Sequence, residues 1–381
     1  MSGADPAPPD ADPALDPALD PALDPRPRLP ADPALRGGVA ILGAGDIART
    51  AHLPAYGHWG VGVVGTWSPG AVRGERPPVR DDFPFVGREY ASAQELLADD
   101  EVRVVDVATP AAVRLPWVRA AVEAGKHVLA QKPLTGDAAG IAEVEEILAE
   151  ADRRGLKVAV NHNGRWAPPW RVTSLLLRQG AVGDVVGVTH LHDKPLPPLV
   201  GTPFDDLEHM LVTDYLVHWL DITRLLLRPG RVTRVQAVES RVPGQPAQAR
   251  NPWSATVLLT ADTGANACVR VVGDVQATSG GAPFWVHGTQ GSIRGSVLLG
   301  SDRVELDRDG DMRALPTPGA WFHDAFAASM GELLTAIELD REPENSAADA
   351  LETVKLVLAA RESAAGGGAP VDLAEQGTVM P

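Results

Sequence analysis

The chain has 381 residues, enough for two cores at roughly 100–200 residues per domain. Its 34 Lys and Arg against 50 Asp and Glu leave a net charge of −16, which argues against nucleic acid as a main partner, because phosphate backbones need clustered cations. No apolar run reaches the roughly 20 residues that cross a bilayer, and no basic segment followed by an apolar one opens the sequence, so a cytoplasmic protein without a membrane partner is expected.

From Asp5 to Ala34 the chain repeats Asp-Pro-Ala-Leu units, as in Asp12-Pro13-Ala14-Leu15 and Asp16-Pro17-Ala18-Leu19. Each proline removes a backbone donor and biases its predecessor away from the helix, so residues 1–36 are expected to form a disordered tail.

Residues 37–160 alternate short β-branched runs with helical patterns. Val39–Leu42, Gly62–Thr66, Val102–Ala108 and His127–Ala130 read as strands, and Ala111–Ala124 and Gly140–Arg154 as helices. Buried strands separated by helices predict an α/β Rossmann domain with a parallel sheet. Gly43-Ala44-Gly45-Asp46-Ile47-Ala48 follows the first strand and opens a helical pattern, matching the G-x-G-x-x-G/A dinucleotide fingerprint. Gly43 permits the turn, Gly45 lets backbone approach a pyrophosphate, and Ala48 keeps the helix close to the sheet. Amides at Asp46 and Ile47 would meet the phosphates. The next strand ends in Gly65-Thr66-Trp67-Ser68-Pro69, without the carboxylate that binds the ribose hydroxyls of NAD. Ser68, with Arg73 or Arg80, suits a 2′-phosphate, so the cofactor is NADP or NAD with NADP favoured.

Residues 161–381 change rhythm. Two helical patterns, Trp170–Arg178 and Thr213–Leu227, stand among the strand patterns Val185–His192, Val232–Ser240, Ala255–Leu259, Ala265–Val272 and Phe284–His287. Successive strands with Gly- and Pro-rich turns predict an α+β domain with an open, mainly antiparallel sheet. Terminal helical patterns at Trp321–Asp340 and Ala347–Ser363 are expected to pack back onto the structure. The single cysteine, Cys268, reads as a strand core residue and can form no internal disulfide.

Three stretches carry chemistry: Ala130-Gln131-Lys132-Pro133, Asn161-His162-Asn163-Gly164-Arg165-Trp166, and Asp214-Tyr215-Leu216-Val217-His218-Trp219-Leu220-Asp221. Oxidising a secondary alcohol sends a hydride to nicotinamide while a proton leaves the hydroxyl, so a base must lie within hydrogen-bond reach of that oxygen. His218 suits that role by its near-neutral intrinsic pKa. Asp214, one turn earlier on the same helix face, can bond the imidazole or a substrate hydroxyl. Lys132, after a strand of the cofactor domain, can stabilise alkoxide charge.

Together with the stretch from Thr109-Pro110 through Ala124-Gly125-Lys126-His127-Val128, these motifs resemble the glucose-fructose oxidoreductase, inositol dehydrogenase and MocA (Gfo/Idh/MocA) family over nearly everything after Gly38. In that family a Glu-Lys-Pro motif follows a Rossmann strand and an Asp and a His lie four apart in the second domain. Lys132, Asp214 and His218 fall on those places. Gln131 stands where the family has glutamate, and Arg114 replaces a histidine often found after the Thr-Pro turn. The resemblance implies that Thr109, Pro110, Gln131 and Lys132 border the cofactor, and that Asn163, Arg165 and Trp166 brace or line the cleft, with Lys194 reaching it. It further implies a sugar-like substrate and homo-oligomers formed through the second sheet.

His190 and His192 share a strand face, but no third ligand is evident, and no metal is expected. Trp219 and Trp253 read as core before sugar-stacking residues. The expected activity is hydride transfer between NADP or NAD and a secondary alcohol or ketone of a sugar, polyol or cyclitol. The rival readings are a dihydrodiol or biliverdin-type reductase, an NAD-dependent glycosidase, and a non-catalytic NADP-binding sensor.

Overall fold

The computed structural model describes residues 20–193, 196, 199–273, 281–298 and 300–373. Six short strands build the first sheet: β1 (Val39–Leu42), β2 (Val63–Trp67), β3 (Val86–Glu89), β4 (Val104–Val107), β5 (His127–Gln131) and β6 (Val158–Asn161). All pairs are parallel, in the order β3-β2-β1-β4-β5-β6. The order reverses between β1 and β4, and ligands of such sheets bind outside the strand ends at that switch point. β1 is a continuous apolar run and β4 is valine apart from Asp106, because helices cover both faces. β3 and β6 lie at the two edges; β3 buries only Val86, whereas β6 is buried throughout.

The second sheet has nine strands: β7 (Val185–Asp193), β8 (Val232–Ser240), β9 (Ser254–Ala261), β10 (Asn266–Val272), β11 (Ala282–Gly288), β12 (Ser292–Val297), β13 (Arg303–Arg308), β14 (Asp311–Leu315) and β15 (Val371–Asp372). Their order is β14-β13-β12-β11-β7-β10-β9-β8-β15, open and antiparallel except for the β7–β10 pair. Alternation sends Val235, Ala237, Val257, Leu259, Val269 and Val271 inward, while Val186, Val238 and Leu258 face outward and are exposed.

The two terminal helices tie the halves together. Asp324–Glu338 buries Phe326, Ala327, Met330 and Leu333 with β1 residues on one face of the first sheet. Ala347–Ala365 is apolar on two sides. Its Ala347, Ala350 and Leu351 join the other face of that sheet, and Leu356, Val357 and Ala360 join the core beneath the second. Asn345 lies beside the β6 edge, donating from Nδ2 to the Val160 carbonyl (3.1 Å) and accepting the Val160 N–H on its own carbonyl (2.8 Å).

Residues 20–36 depart from the expected disorder. Prolines prevent a long helix there, yet each described Asp-Pro-Ala-Leu unit makes one capped turn. Asp20 accepts from Ala22 N–H at 2.9 Å and Asp32 from Ala34 N–H at 2.8 Å, with proline in the first turn. Leu23 then buries against the helix Pro168–Arg178, Leu29 packs against the Asp324–Glu338 side, and any side chain at Gly331 would collide with the Arg28 carbonyl. Leu23→Ala is therefore expected to cost about 2 kcal/mol in urea denaturation. An unchanged midpoint would show that the arm carries no stability.

Candidate active site

The glycine turn sits at the switch point. Gly43 has φ 103°, and a Cβ there would come 2.9 Å from Thr109 Cγ2 and 3.0 Å from the Thr109 nitrogen, so only glycine lets the loops after β1 and β4 close on each other. Gly45 faces open space and Ala48 is fully buried, as close helix packing and access for a ligand both require. Thr109 Oγ1 is buried without a partner beside this turn, and Pro110 caps the short turn Ala111–Val113. These features fit a dinucleotide. Asp46 is ion-paired with Arg76 (2.5 Å), a residue absent from the expected set, across the exposed mouth of the loop.

A hollow of about 250 Å3 lies at the ends of β2 and β3, lined by Thr66, Trp67, Ser68, Val72, Glu89 and Tyr90 among others. Ser68 is nearly buried there and caps the turn Pro69–Val72 by accepting from Ala71 N–H at 3.4 Å. Arg73 is exposed and paired with Glu75 at 2.5 Å, so reaching a ligand would require it to leave that carboxylate.

Lys132 leaves β5 and crosses to the second domain, where Nζ lies 3.2 Å from Asp214 Oδ1 and donates to the Asp214 carbonyl at 3.3 Å. The expected continuous helix over Thr213–Leu227 is interrupted. Leu216 N–H bonds to the Leu211 carbonyl in a π turn, Leu211–Tyr215, and an α-helix restarts at Val217. The wider turn explains why Asp214 meets Lys132 instead of pairing with His218. Such single π turns recur at functional positions.

His218 sits half-buried against the Trp321 ring (centroids 5.5 Å) and His162 (6.4 Å). Gly164 makes room for it, since a Cβ there would stand 3.1 Å from His218 Nδ1. Burial, and then the charge of Lys132, hold the imidazole well below the usual histidine range. It is thus neutral and able to accept a proton at neutral pH. Burial likewise brings His162 down to about 4, against the opposing pull of Asp221. Tyr215 is pushed up to about 12 by burial and bonds His192 Nε2 at 2.9 Å. Trp170, Trp219, Trp321, His190 and His192 form one aromatic cluster behind His218.

The two departures from the family pattern have structural roles. Arg114 is buried and ties the Thr109 carbonyl (2.6 Å) to the Pro133 carbonyl, clamping the loops on either side of the cleft. Burial lowers it to about 10, against the Asp214 charge. Gln131 accepts the Lys132 N–H on Oε1 at 2.7 Å.

Three expected substrate residues are used up inside the junction. Arg165 is buried against Asp221 (2.7 Å) and Asp349 (2.9 Å) and donates to the Glu344 carbonyl. Asn163 accepts from Trp321 Nε1 at 3.1 Å, and Trp166 lies buried beneath Arg171. Bracing, not substrate contact, is what their partners support. Lys194 lies outside the described residues. Among the described residues no group of three or more His, Cys, Asp or Glu side chains is placed to hold a metal, and no helix is long and apolar enough to cross a membrane. Tyr215, Trp321 and His162 were missed as site residues. The first stands beside Asp214 in sequence and was available, whereas Trp321 arrives from a distant segment.

Two family models match the chain: "Oxidoreductase family, NAD-binding Rossmann fold" over residues 38–162 and "GFO/IDH/MocA C-terminal domain" over 170–294. The chain is 30% identical over 295 residues to D-apiose dehydrogenase of Paraburkholderia graminis, covering 73% of this chain and 76% of that protein. It is 26% identical to 1,5-anhydro-D-fructose reductase of Ensifer adhaerens, covering 86% and 96%. An oxidoreductase from Agrobacterium radiobacter, solved with NAD+, L-tartaric acid and magnesium, shares the fold with TM-score 0.74 at 24% identity, over 88% of this chain and 97% of that one.

Proposed function

The chain belongs to the Gfo/Idh/MocA family of NAD(P)-dependent oxidoreductases, and from that premise we propose that it interconverts a secondary alcohol and ketone of a sugar, polyol or cyclitol. The observation that carries this reading is the convergence of Lys132 from the first domain with Asp214 and His218 from the second. A nicotinamide dinucleotide, when bound with its pyrophosphate at the glycine turn, supplies the hydride acceptor or donor. Gly45 and the amides of Asp46 and Ile47 would hold its phosphates, with Gly43 and Ala48 shaping the turn, and Thr109, Pro110 and Gln131 would border its reactive end.

In the oxidative direction the neutral His218 takes the hydroxyl proton. Lys132 holds its ammonium against the carbinol oxygen and stabilises the charge that develops there. Asp214 anchors that ammonium through the 3.2 Å contact and offers its remaining oxygen to a neighbouring hydroxyl. Trp321 and Trp219 form an apolar wall behind the imidazole that keeps water from it.

NADP is the favoured cofactor. The stretch that ends β2, residues 65–69, carries no carboxylate, Ser68 borders the hollow that Glu89 also lines, and Arg73 and Arg76 can exchange Glu75 and Asp46 for a 2′-phosphate. Subunits associate through the outer face of the nine-stranded sheet, where Val186, Val238 and Leu258 are exposed; light scattering would read a dimer or larger.

Nicotinamide absorbance across a panel of aldoses, polyols and cyclitols with both cofactors tests the reading. The expected result is turnover of at least one member with a KM for NADP about tenfold below that for NAD, the equivalent of about 1.4 kcal/mol. Turnover with a lower KM for NAD overturns the cofactor preference, and cofactor binding with no turnover of any substrate favours the sensor.

A further inference from the structure

We propose that Asp106, His52 and Gln131 form a polarised hydrogen-bond chain through the first sheet that holds the main chain of Lys132, making His52 a positioning residue for that lysine. The proposal rests on the reading of Lys132 as the group that grips the substrate oxygen.

Asp106 is a carboxylate in the middle of β4, a central strand otherwise made of valine, and it is fully buried. A buried carboxylate is unfavourable unless hydrogen bonds meet it. Two do so at one oxygen: Tyr56 OH donates to Oδ2 at 2.6 Å, and His52 Nδ1 lies 2.7 Å from the same atom. His52, also fully buried, ends the π turn Ala48–His52 of the cofactor helix. On its other side, Nε2 is 3.2 Å from Gln131 Nε2 and 3.5 Å from Asn161 Nδ2. Gln131 Oε1 then receives the Lys132 N–H at 2.7 Å.

One end of this chain has only one possible direction. A peptide N–H can only donate, so the Gln131 carbonyl must face Lys132 and its NH2 must face His52. His52 Nε2 must then accept, which leaves its proton on Nδ1, donated to Asp106. The imidazole is neutral and its tautomer is fixed. The titratable groups facing it are Asp106 from β4 and Tyr56 from its own helix; Gln131, Asn161 and the Phe326 ring, at 5.0 Å, complete its surroundings. Every link from β4 to the peptide of Lys132 is thereby oriented, and loosening one frees the ammonium's base to shift.

The chemistry also defines what a glutamate at position 131 would do. Its second oxygen would face Nε2, so one extra proton must be held between them, on the new carboxyl or as a second proton on His52. Gln131→Glu therefore converts a link without titration into a proton-binding one.

The test uses the full chain with 15N-labelled histidine, with the His52 signal assigned by its loss in His52→Leu. In the unaltered protein His52 is expected to carry a proton on Nδ1 alone at neutral pH; a proton on Nε2 instead overturns the proposal. Gln131→Glu is expected to bind that extra proton, read as His52 15N shifts changed from those of the parent, and to show a kcat that falls about tenfold as pH rises toward 9, while the parent stays flat. A variant whose pH profile matches the parent contradicts it. In His52→Leu, kcat is expected to fall about tenfold with cofactor Kd unchanged, since a 1 Å misplacement suffices for such a loss; full kcat in a folded variant contradicts positioning. Should that variant not fold, the tautomer and the Gln131→Glu profile still decide. Failure of Lys132→Met to slow turnover would sink the site reading alone, because the His52 tautomer does not depend on it.

Discussion

Lys132→Met is expected to lower kcat for alcohol oxidation by about 10²–10³, the loss typical when one preorganised donor to a developing oxyanion is removed. Cofactor Kd should change far less than kcat, because the Lys132 ammonium is directed to Asp214 and not to the glycine turn. A second consequence separates this role from general damage. The Lys132 charge is one of the causes that hold His218 below the ordinary imidazole value of 6.5. With the charge gone, the acidic limb of kcat/KM should move up toward that value, because the free base becomes easier to protonate. Steady-state rates over a pH series read both effects. An unchanged acidic limb together with unchanged kcat would remove Lys132 from the site.

Asp221→Ala is expected to be the most destabilising single substitution at the junction, costing about 3–5 kcal/mol in urea denaturation, because it strands Arg165 in a buried site. Asp349 at 2.9 Å holds part of that charge, which places the expectation toward the lower end. Burial raises the Asp221 carboxyl, but Arg165 and its neighbours outweigh it and keep the group well below the usual carboxylate range. The contribution of this depressed carboxyl is present above its unfolded value and fades only as pH falls through the much lower folded one.

Histidines act earlier on the way down. His162 and His190 are brought to about 4 and about 3 by burial, so below about pH 6.5 the unfolded chain binds protons that the folded one refuses. The parent protein should therefore lose stability from about pH 6.5 toward pH 4, before the Arg165–Asp221 pair weakens. Constant stability down to pH 4 would contradict the neutral burial of these imidazoles.

The parts of this protein that announced themselves were those whose chemistry is local. Gly43 and Gly45 serve a turn made by their own neighbours, and Lys132 stands directly after a legible strand. The parts that stayed hidden depend on distant packing. Leu23 belongs to a proline-broken repeat that cannot build a helix, and only the surface of Pro168–Arg178 gives it somewhere to bury. Strand β13 alternates, with Val304 and Leu306 set between Arg303, Glu305 and Asp307, but offers only two apolar residues and is ordered by pairing with β12 and β14. Sequence leaves Arg165 open between bracing and lining the cleft, because nothing near it reveals Asp221 and Asp349. Asp106 is visible in sequence as a lone carboxylate inside the valine-rich run Val102–Ala108, but its partner His52 stands fifty-four residues earlier.

The central claim is that an ammonium from one domain and an imidazole from the other share a single carbinol oxygen. A crystal structure of the ternary complex with oxidised cofactor and the best alcohol of the panel tests it most directly. The account predicts that oxygen within about 2.6–3.2 Å of both Lys132 Nζ and a ring nitrogen of His218. A substrate oxygen held by other groups, beyond hydrogen-bond reach of both Lys132 Nζ and the His218 ring, would contradict it.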